Sequence, residues 1–469
     1  MRSPVRRGFG LKPGPWLVAC SLICAPAMAQ EVPPGARFTI GVENRLEAGR
    51  NLALETPPAG DTVLGVTVLT FGFLSETRTE RLVVDFDGRL RVGRDEDERV
   101  SGFEDSGLSF SYTRQSANEL LGVEGRVRSA DVSTFRFLDD PPPGIDEDEF
   151  DELIDALTGI RREFGLDGRL ELGRAGPLGF TFTASRSGVR HRNTGDSDLT
   201  DSDTTSLGAS SQLRFSPVLT GTVGLSRTRL RERSTIDNAF LRRQRTKRLD
   251  LGLVYDVSPR LQVDGGLGLV RIDTREPETR SRDEGVEARL AAALDMPDGT
   301  LSSEVTRSFT EDGTRYEFRI TRLLERPDGA LEASLGVAQP QDGGTALVGG
   351  ASWRRELPRG EISARLSREL ASTDVDETRL LTLAGLDFSQ EITAVSSFAF
   401  GIDYGVRSAG GGDPRRELGS ISATYSHQLT ADWALNAGLT YRTEREAGSR
   451  RSTSPSVFIG LGRQFDFGL

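Results

Sequence analysis

Residues that usually carry chemistry are scarce in this chain. Its 469 residues include two cysteines, two histidines, three methionines and three tryptophans. Lysine occurs only at Lys12 and Lys247, so almost every positive charge is arginine, a bias that a GC-rich coding sequence explains. Cys20 and Cys24 both precede residue 30. The chain beyond them therefore has no disulfide and no thiol chemistry. No window approaches eighteen uninterrupted apolar residues, which excludes a transmembrane helix after the leader. Hydrophobic residues make up 36%, a low share for a soluble domain of this size. No phosphate loop, CxxC pair, HExxH or GxSxG elbow occurs, so no enzyme activity, cofactor or metal is expected.

What is present begins with a leader. Arg2, Arg6, Arg7 and Lys12 precede an apolar stretch from Trp16 to Ala25, and Ala27-Met28-Ala29 follows. That order of basic, oily and small residues predicts a secretory signal over residues 1–29. Leu17-Val18-Ala19-Cys20 also reads as a lipoprotein acylation box, although the apolar run before Cys20 is short for a signal core. The leader holds four basic and no acidic residues, which leaves 55 basic against 70 acidic, a balance of −15. An acidic chain argues against nucleic acid as a partner.

Beyond a short periplasmic segment, residues 30–36, the polarity alternates with period two. Near the C-terminus Val457, Ile459, Leu461, Phe465, Phe467 and Leu469 share one parity, while Ser456, Gly460, Gly462, Gln464 and Asp466 share the other. Lipid on one face and water on the opposite face of a strand produce this beat. It recurs as pairs of stripes joined by tight turns such as Ser258-Pro259-Arg260, Met296-Pro297-Asp298-Gly299, Arg326-Pro327-Asp328-Gly329 and Thr430-Ala431-Asp432. Longer polar links, Thr228 to Arg248, Asp273 to Gly285, Arg407 to Glu417 and Tyr441 to Ser454, alternate with the short ones. The fold expected over residues 37–469 is an all-β transmembrane antiparallel up-and-down barrel of about 22 strands, with 20 as the alternative. The first hairpins are the least regular, since Thr62 to Leu74 is oily on both parities.

One segment breaks the beat. Asp139 to Arg162 is acidic and carries Phe150, Leu153, Ile154 and Leu157 at helical spacing. It reads as a short helix in an extracellular loop, either capping the mouth or folded into the lumen. In the second case deletion of Asp146 to Asp155 shifts ion preference.

Parity then assigns faces. Pore-lining candidates are Asp256, Asp264, Glu287, Arg289, Glu304, Arg315, Glu317, Arg319, Arg354, Glu361 and Arg365, with opposite charges interleaved. Arg227, Arg229, Arg271 and Arg307 fall on the lipid parity at the upper ends of strands, where lipopolysaccharide phosphates lie, so lipid and lipopolysaccharide are expected partners. Arg114, Arg322, Arg355 and Arg463 fall on the same parity at the opposite rim, consistent with snorkelling. Aromatics including Tyr112, Tyr255, Trp353, Tyr404, Tyr425, Trp433 and Tyr441 lie near strand ends as an interfacial girdle. His191 shares a Ser, Thr, Asp and Gly stretch with Asp196, Asp198, Asp201 and Asp203, where solvated loop competes with a calcium contact or a His and Asp catalytic pair.

The leader, the Ser-Pro-Arg-Leu and Ala-Asp-Trp turns and the Phe-bearing final strand resemble the outer-membrane beta-barrel and porin families of Gram-negative bacteria, in particular the uncharacterised kind sometimes linked to exopolysaccharide export. The resemblance implies an outer-membrane location and recognition of the C-terminal strand by the barrel-assembly machinery. Such families usually finish on Phe or Trp, whereas this chain finishes on Leu469, which weakens the assembly signal. TonB-dependent receptors are similar in strand number but place a large plug domain before the barrel, and here the first strand begins near Phe38. The resulting expectation is a pore passing small hydrophilic solutes or an exported polymer. The alternative is a non-conducting structural or surface-binding barrel whose loops engage lipopolysaccharide, calcium or a partner.

Overall fold

The computed structural model describes residues 35–468 except 53, 55, 59, 96–97, 132–159, 193–199, 236–237, 311–312, 342–343, 374–376 and 410–413. Strands occupy most of what is described. The chain opens with β1 (Gly35–Arg50), β2 (Asp61–Glu76), β3 (Glu80–Asp95), β4 (Glu98–Gln115), β5 (Glu119–Asp131) and β6 (Ile160–Leu172). It continues through β7 (Leu178–Arg192), β8 (Thr200–Ser216), β9 (Leu219–Ser234), β10 (Phe240–Asp256), β11 (Leu261–Arg275) and β12 (Arg280–Met296). Next come β13 (Gly299–Thr310), β14 (Gly313–Arg326), β15 (Gly329–Gln339), β16 (Ala346–Leu357) and β17 (Gly360–Thr373). The last five are β18 (Glu377–Thr393), β19 (Ser396–Arg407), β20 (Arg416–Gln428), β21 (Trp433–Glu446) and β22 (Ser452–Gly468).

Every strand pairs antiparallel with the next in sequence, and β22 returns to pair with β1 from Arg37↔Gly468 to Gly49↔Ser456. The wall is thus a closed barrel of 22 strands with no free edge, the form that satisfies strand backbone groups in hydrocarbon. No hairpin is lost from this first region, because β2 pairs along its length with β1 and from Val63 to Glu76 with β3. The two-sided oiliness of β2 has a local cause. Its inward Leu64 and Val66 are 3% and 2% exposed, packed inside the barrel rather than facing lumen water.

The outer wall follows the alternation. Leu225, Leu251, Leu253, Leu267, Leu269 and Leu290 stand outward and exposed, and their inward neighbours in sequence are small or polar except Val254 and Val270. Each such side chain moved from water into lipid contributes about 1.5–3 kcal/mol. At the periplasmic rim the turns are short. Pro297-Asp298 and Pro327-Asp328 each supply the only residues between consecutive strands. Gly299 closes the first with φ 130°, a conformation that L side chains rarely adopt, and a Cβ there would collide with the carbonyl of Leu323 on the neighbouring hairpin. Each turn accepts a bond from the strand beside it, Glu325 N–H of β14 donating to Asp298 O at 2.8 Å and Glu356 N–H of β16 to Asp328 O at 2.8 Å.

The opposite rim corrects the sequence reading. The stretch from Thr228 to Arg248 is not a loop: β9 and β10 stay paired up to Arg233↔Phe240. Likewise β11 and β12 pair up to Arg275↔Arg280, and β21 and β22 up to Glu444↔Ser452. Crossing the hydrocarbon takes roughly 9–11 residues per strand, whereas β4 has 18 and β10 has 17. The surplus carries the wall beyond the apolar belt on the extracellular side. The expected helix of residues 139–162 lies outside the described residues except for Ile160, Arg161 and Arg162, which begin β6. The leader also lies outside the described residues.

Candidate functional site: the lumen wall and the outer belt

All eleven pore-lining candidates fall on the inward parity, and what the sequence does not reveal is how they are tied. Arg248 on β10 reaches over β11 to Glu287 on β12 in a two-pronged bond, Nε–Oε2 2.9 Å and Nη2–Oε1 3.0 Å. The intervening residue is Gly268, where a Cβ would stand 3.3 Å from that of Glu287. A side chain at residue 268 would occupy the space the bridge crosses. Arg289 joins its two neighbouring strands at once, to Asp264 at 3.1 Å and Glu304 at 2.7 Å. On β14, Glu317 takes bonds from Arg315 (3.2 Å) and Arg319 (2.8 Å), and Arg319 lies 3.7 Å from Glu369 on β17. Arg365 bonds Asp387 at 3.1 Å on β18 and also Asp403 on β19, its guanidinium lying over Gly385. Arg354 pairs with Glu361, and Asp256 accepts from Gln262 at 2.8 Å. Inward charges are therefore matched across strands, which lowers the cost of holding them in the wall.

Exposure along the inner wall is uneven. Arg91, Asp105, Arg161, Glu232, Arg407 and Thr440, near the extracellular end, are 3–8% exposed. Arg289, Glu304 and Arg354, closer to the periplasm, keep 41%, 36% and 63% of their side-chain surface. The link between β1 and β2 bends over this upper region. Asn51 donates its side-chain N–H to Thr453 O at 3.3 Å, Arg442 donates to Leu52 O at 2.6 Å, and Thr56 bonds Ser452.

His191 stands in β7 rather than in a loop, its side chain 1% exposed. Asp201 and Asp203 both engage Arg190, and Asp201 Oδ1 also accepts the His191 backbone N–H at 2.8 Å. Asp196 and Asp198 lie outside the described residues. Among the described residues no group of three or more His, Cys, Asp or Glu is placed to hold a metal.

The periplasmic-rim arginines are clamps rather than free snorkelling chains. Arg114 lies 3.6 Å from Glu80, Arg355 3.3 Å from Asp328 and Arg463 3.7 Å from Asp432, while Arg322 bonds Asp298. In the last three pairs the acid sits in the turn of the adjacent hairpin, so arginine and turn carboxylate recur as a stitch between hairpins. The Arg322 guanidinium holds the exposed Asp298 carboxyl below its usual range. Arg463 also lies over the rings of Trp433 and Phe465, 5.5 and 4.4 Å from their centroids.

At the upper rim the four lipopolysaccharide candidates divide. Arg271 lies 3.6 Å from both Asp273 and Glu284, and Arg307 bonds Val286 O and the Tyr316 hydroxyl. Arg227 and Arg229 belong to a larger outward array. Arg243, Arg245 and Lys247, which the sequence reading put in a loop, stand on β10 facing the same way, while Arg248 turns inward.

A closed antiparallel barrel of 22 strands with an apolar outer belt and a charged inner wall has the architecture of an outer-membrane barrel. No protein-family model matches the chain, and no curated protein matches it either. Solved structures do. The ferric-catecholate import receptor Fiu from E. coli K12 superposes with TM-score 0.58 at 11% identity, over 91% of this chain and 81% of that one. The FrpB iron transporter from Neisseria meningitidis gives 0.58 at 8%, over 92% and 81%. Copper transporter OprC gives 0.55 at 12%, over 92% and 80%. The likeness is one of fold, and it departs from the porin type that the sequence style resembles: these neighbours are described as receptors and transporters.

Proposed function

We propose that this chain is an outer-membrane transport barrel whose lumen conducts a hydrophilic cargo. The carrying observation is the inner wall, where carboxylates and guanidinium groups are paired across strands and stay half-exposed toward the periplasm. Such a lining suits hydrated solutes. Passive passage of small hydrophilic solutes or an exported polymer is the finer reading. Pore-lining roles go to Asp264, Glu287, Arg289, Glu304, Glu317, Arg319 and Arg365. Insertion of the chain by the barrel-assembly machinery through β22 is part of the same proposal.

A second reading, uptake of a bound cargo as in a receptor, is favoured by the burial of the extracellular part of the inner wall and by the size of the barrel. Walls of 16–18 strands already leave an aqueous channel, whereas 22-stranded transporters carry a plugged lumen. Planar-bilayer recording separates the two. Steady ohmic current through folded protein supports passive passage, and absence of any current removes it in favour of the second reading.

A further inference from the structure

We propose that the outward face of β9, β10 and β11 is a docking site for lipopolysaccharide, with the glycolipid phosphates on a cation ladder and an acyl chain in the apolar groove beside and below it. In the paired register Arg227 stands directly opposite Lys247, Arg229 opposite Arg245, and Arg231 opposite Arg243. On the other side Lys247 faces Arg271 and Arg243 faces Arg275, while Arg245 between them faces Asp273. These are three consecutive rungs of one sheet face. Like charges placed opposite one another across strands are destabilising, and the acids in the neighbourhood are committed elsewhere. Asp273 and Glu284 serve Arg271, and Asp203 serves Arg190. Among the described residues the six β9 and β10 cations form no ion pair. The Nε atoms of Arg229 and Arg245 are shielded from solvent without a hydrogen-bond partner. The arrangement is complete only with an external polyanion.

Position selects the anion. The rung Arg227, Lys247 and Arg271 directly follows the lipid-facing row Leu225, Leu249 and Leu269. The ladder therefore starts where hydrocarbon ends, at the height of outer-leaflet phosphates. Guanidinium groups bind phosphate with two parallel bonds, which ammonium cannot do. On the lipid side a groove of about 640 Å³ opens below, lined by Leu251, Leu253, Leu267, Leu290 and Val305, with Arg307 and Tyr316 at its rim. It exists because Gly265 and Ala288 leave a gap among leucines, and a Cβ at Gly265 would meet nothing within 4 Å. A phosphorylated glycolipid with several acyl chains matches both parts, whereas a soluble polyanion uses only the ladder.

The test titrates folded, detergent-solubilised full-length barrel with rough-type lipopolysaccharide, read by native mass spectrometry. Folding of each variant is checked by its heat-dependent gel shift. Arg229→Gln, Arg245→Gln and Lys247→Gln together should weaken binding at least about tenfold, since each removes a charged hydrogen bond. Arg114→Gln with Arg355→Gln, at the periplasmic rim, should leave binding unchanged. Gly265→Phe, which fills the groove but keeps every cation, should weaken intact lipopolysaccharide and spare its deacylated form. Wild-type binding that is absent, or equal in the ladder variant, overturns the proposal. Inorganic polyphosphate binding as tightly as lipopolysaccharide, with Gly265→Phe silent, also overturns it by assigning the ladder to a soluble partner.

Discussion

Replacing Gly438 with valine should weaken the seam that closes the barrel. Gly438 on β21 faces the lumen under the ring of Phe458 on β22. A Cβ there stands 2.5 Å from a ring carbon and 2.8 Å from the carbonyl of Ala423. The ring is not free to move aside. The Arg45 guanidinium lies 4.3 Å above its centroid, and Arg45 is itself held by Glu43 at 3.4 Å and Glu47 at 3.2 Å. Forcing a branched side chain into this stack costs about 1–3 kcal/mol of overpacking. Displacing the ring forfeits about 0.5–1 kcal/mol of cation–π contact. Against this, a β-branched residue gains up to about 1 kcal/mol over glycine in a strand. The expected net loss is about 1–3 kcal/mol. Gly265 supplies the control, because its lipid-facing Cβ position has no neighbour within 4 Å, so Gly265→Val keeps only the propensity gain. Urea unfolding in lipid vesicles, followed by tryptophan fluorescence and by the heat-dependent gel shift, compares the two. Equal midpoints for Gly438→Val and Gly265→Val would refute the claim that the Arg45–Phe458 stack restrains the seam.

Two further outcomes follow from the inner wall. Arg365→Gln should lower stability by about 1–2 kcal/mol, because Arg365 bonds Asp387 and Asp403 together and Asp403 is only 8% exposed; a double-mutant cycle with Asp403→Asn that shows no coupling contradicts this. The triple change Glu287→Gln, Glu304→Gln and Glu317→Gln should move the reversal potential in a salt gradient toward anion preference, most clearly below about 0.1 M salt where screening is weak; an unmoved potential excludes these residues from the ion path.

Alternation identified the lipid face of nearly every strand because hydrocarbon against water is the sharpest contrast a chain can meet. The contrast fades above the belt, where both faces of β9 and β10 meet polar surroundings. There Arg243, Arg245 and Lys247 read as loop, although backbone pairing continues through them. Parity also fixes faces without fixing register. It placed Glu287 and Arg289 inward, yet it cannot tell that Arg248 reaches Glu287 across Gly268, because that bridge depends on which residues of three strands stand level. The clamps at the periplasmic rim were hidden for the same reason, since Asp328 and Arg355 are far apart in sequence but adjacent across hairpins. His191 with Asp201 was visible as composition only, and its inward burial comes from the extension of β7 past the belt.

The pairing of β1 with β22, reinforced above by Asn51 on Thr453 and by Arg442 on Leu52, joins segments some four hundred residues apart. Such a junction cannot form until the final hairpin has been delivered. During biogenesis both terminal strands therefore present naked backbone donors and acceptors that invite mispairing, and loop-closure entropy makes their meeting the slow event. The clasp from the first loop to the last hairpin gives that late encounter a second point of grip. Its removal should show in how long insertion takes before it shows in how firmly the finished wall resists denaturant.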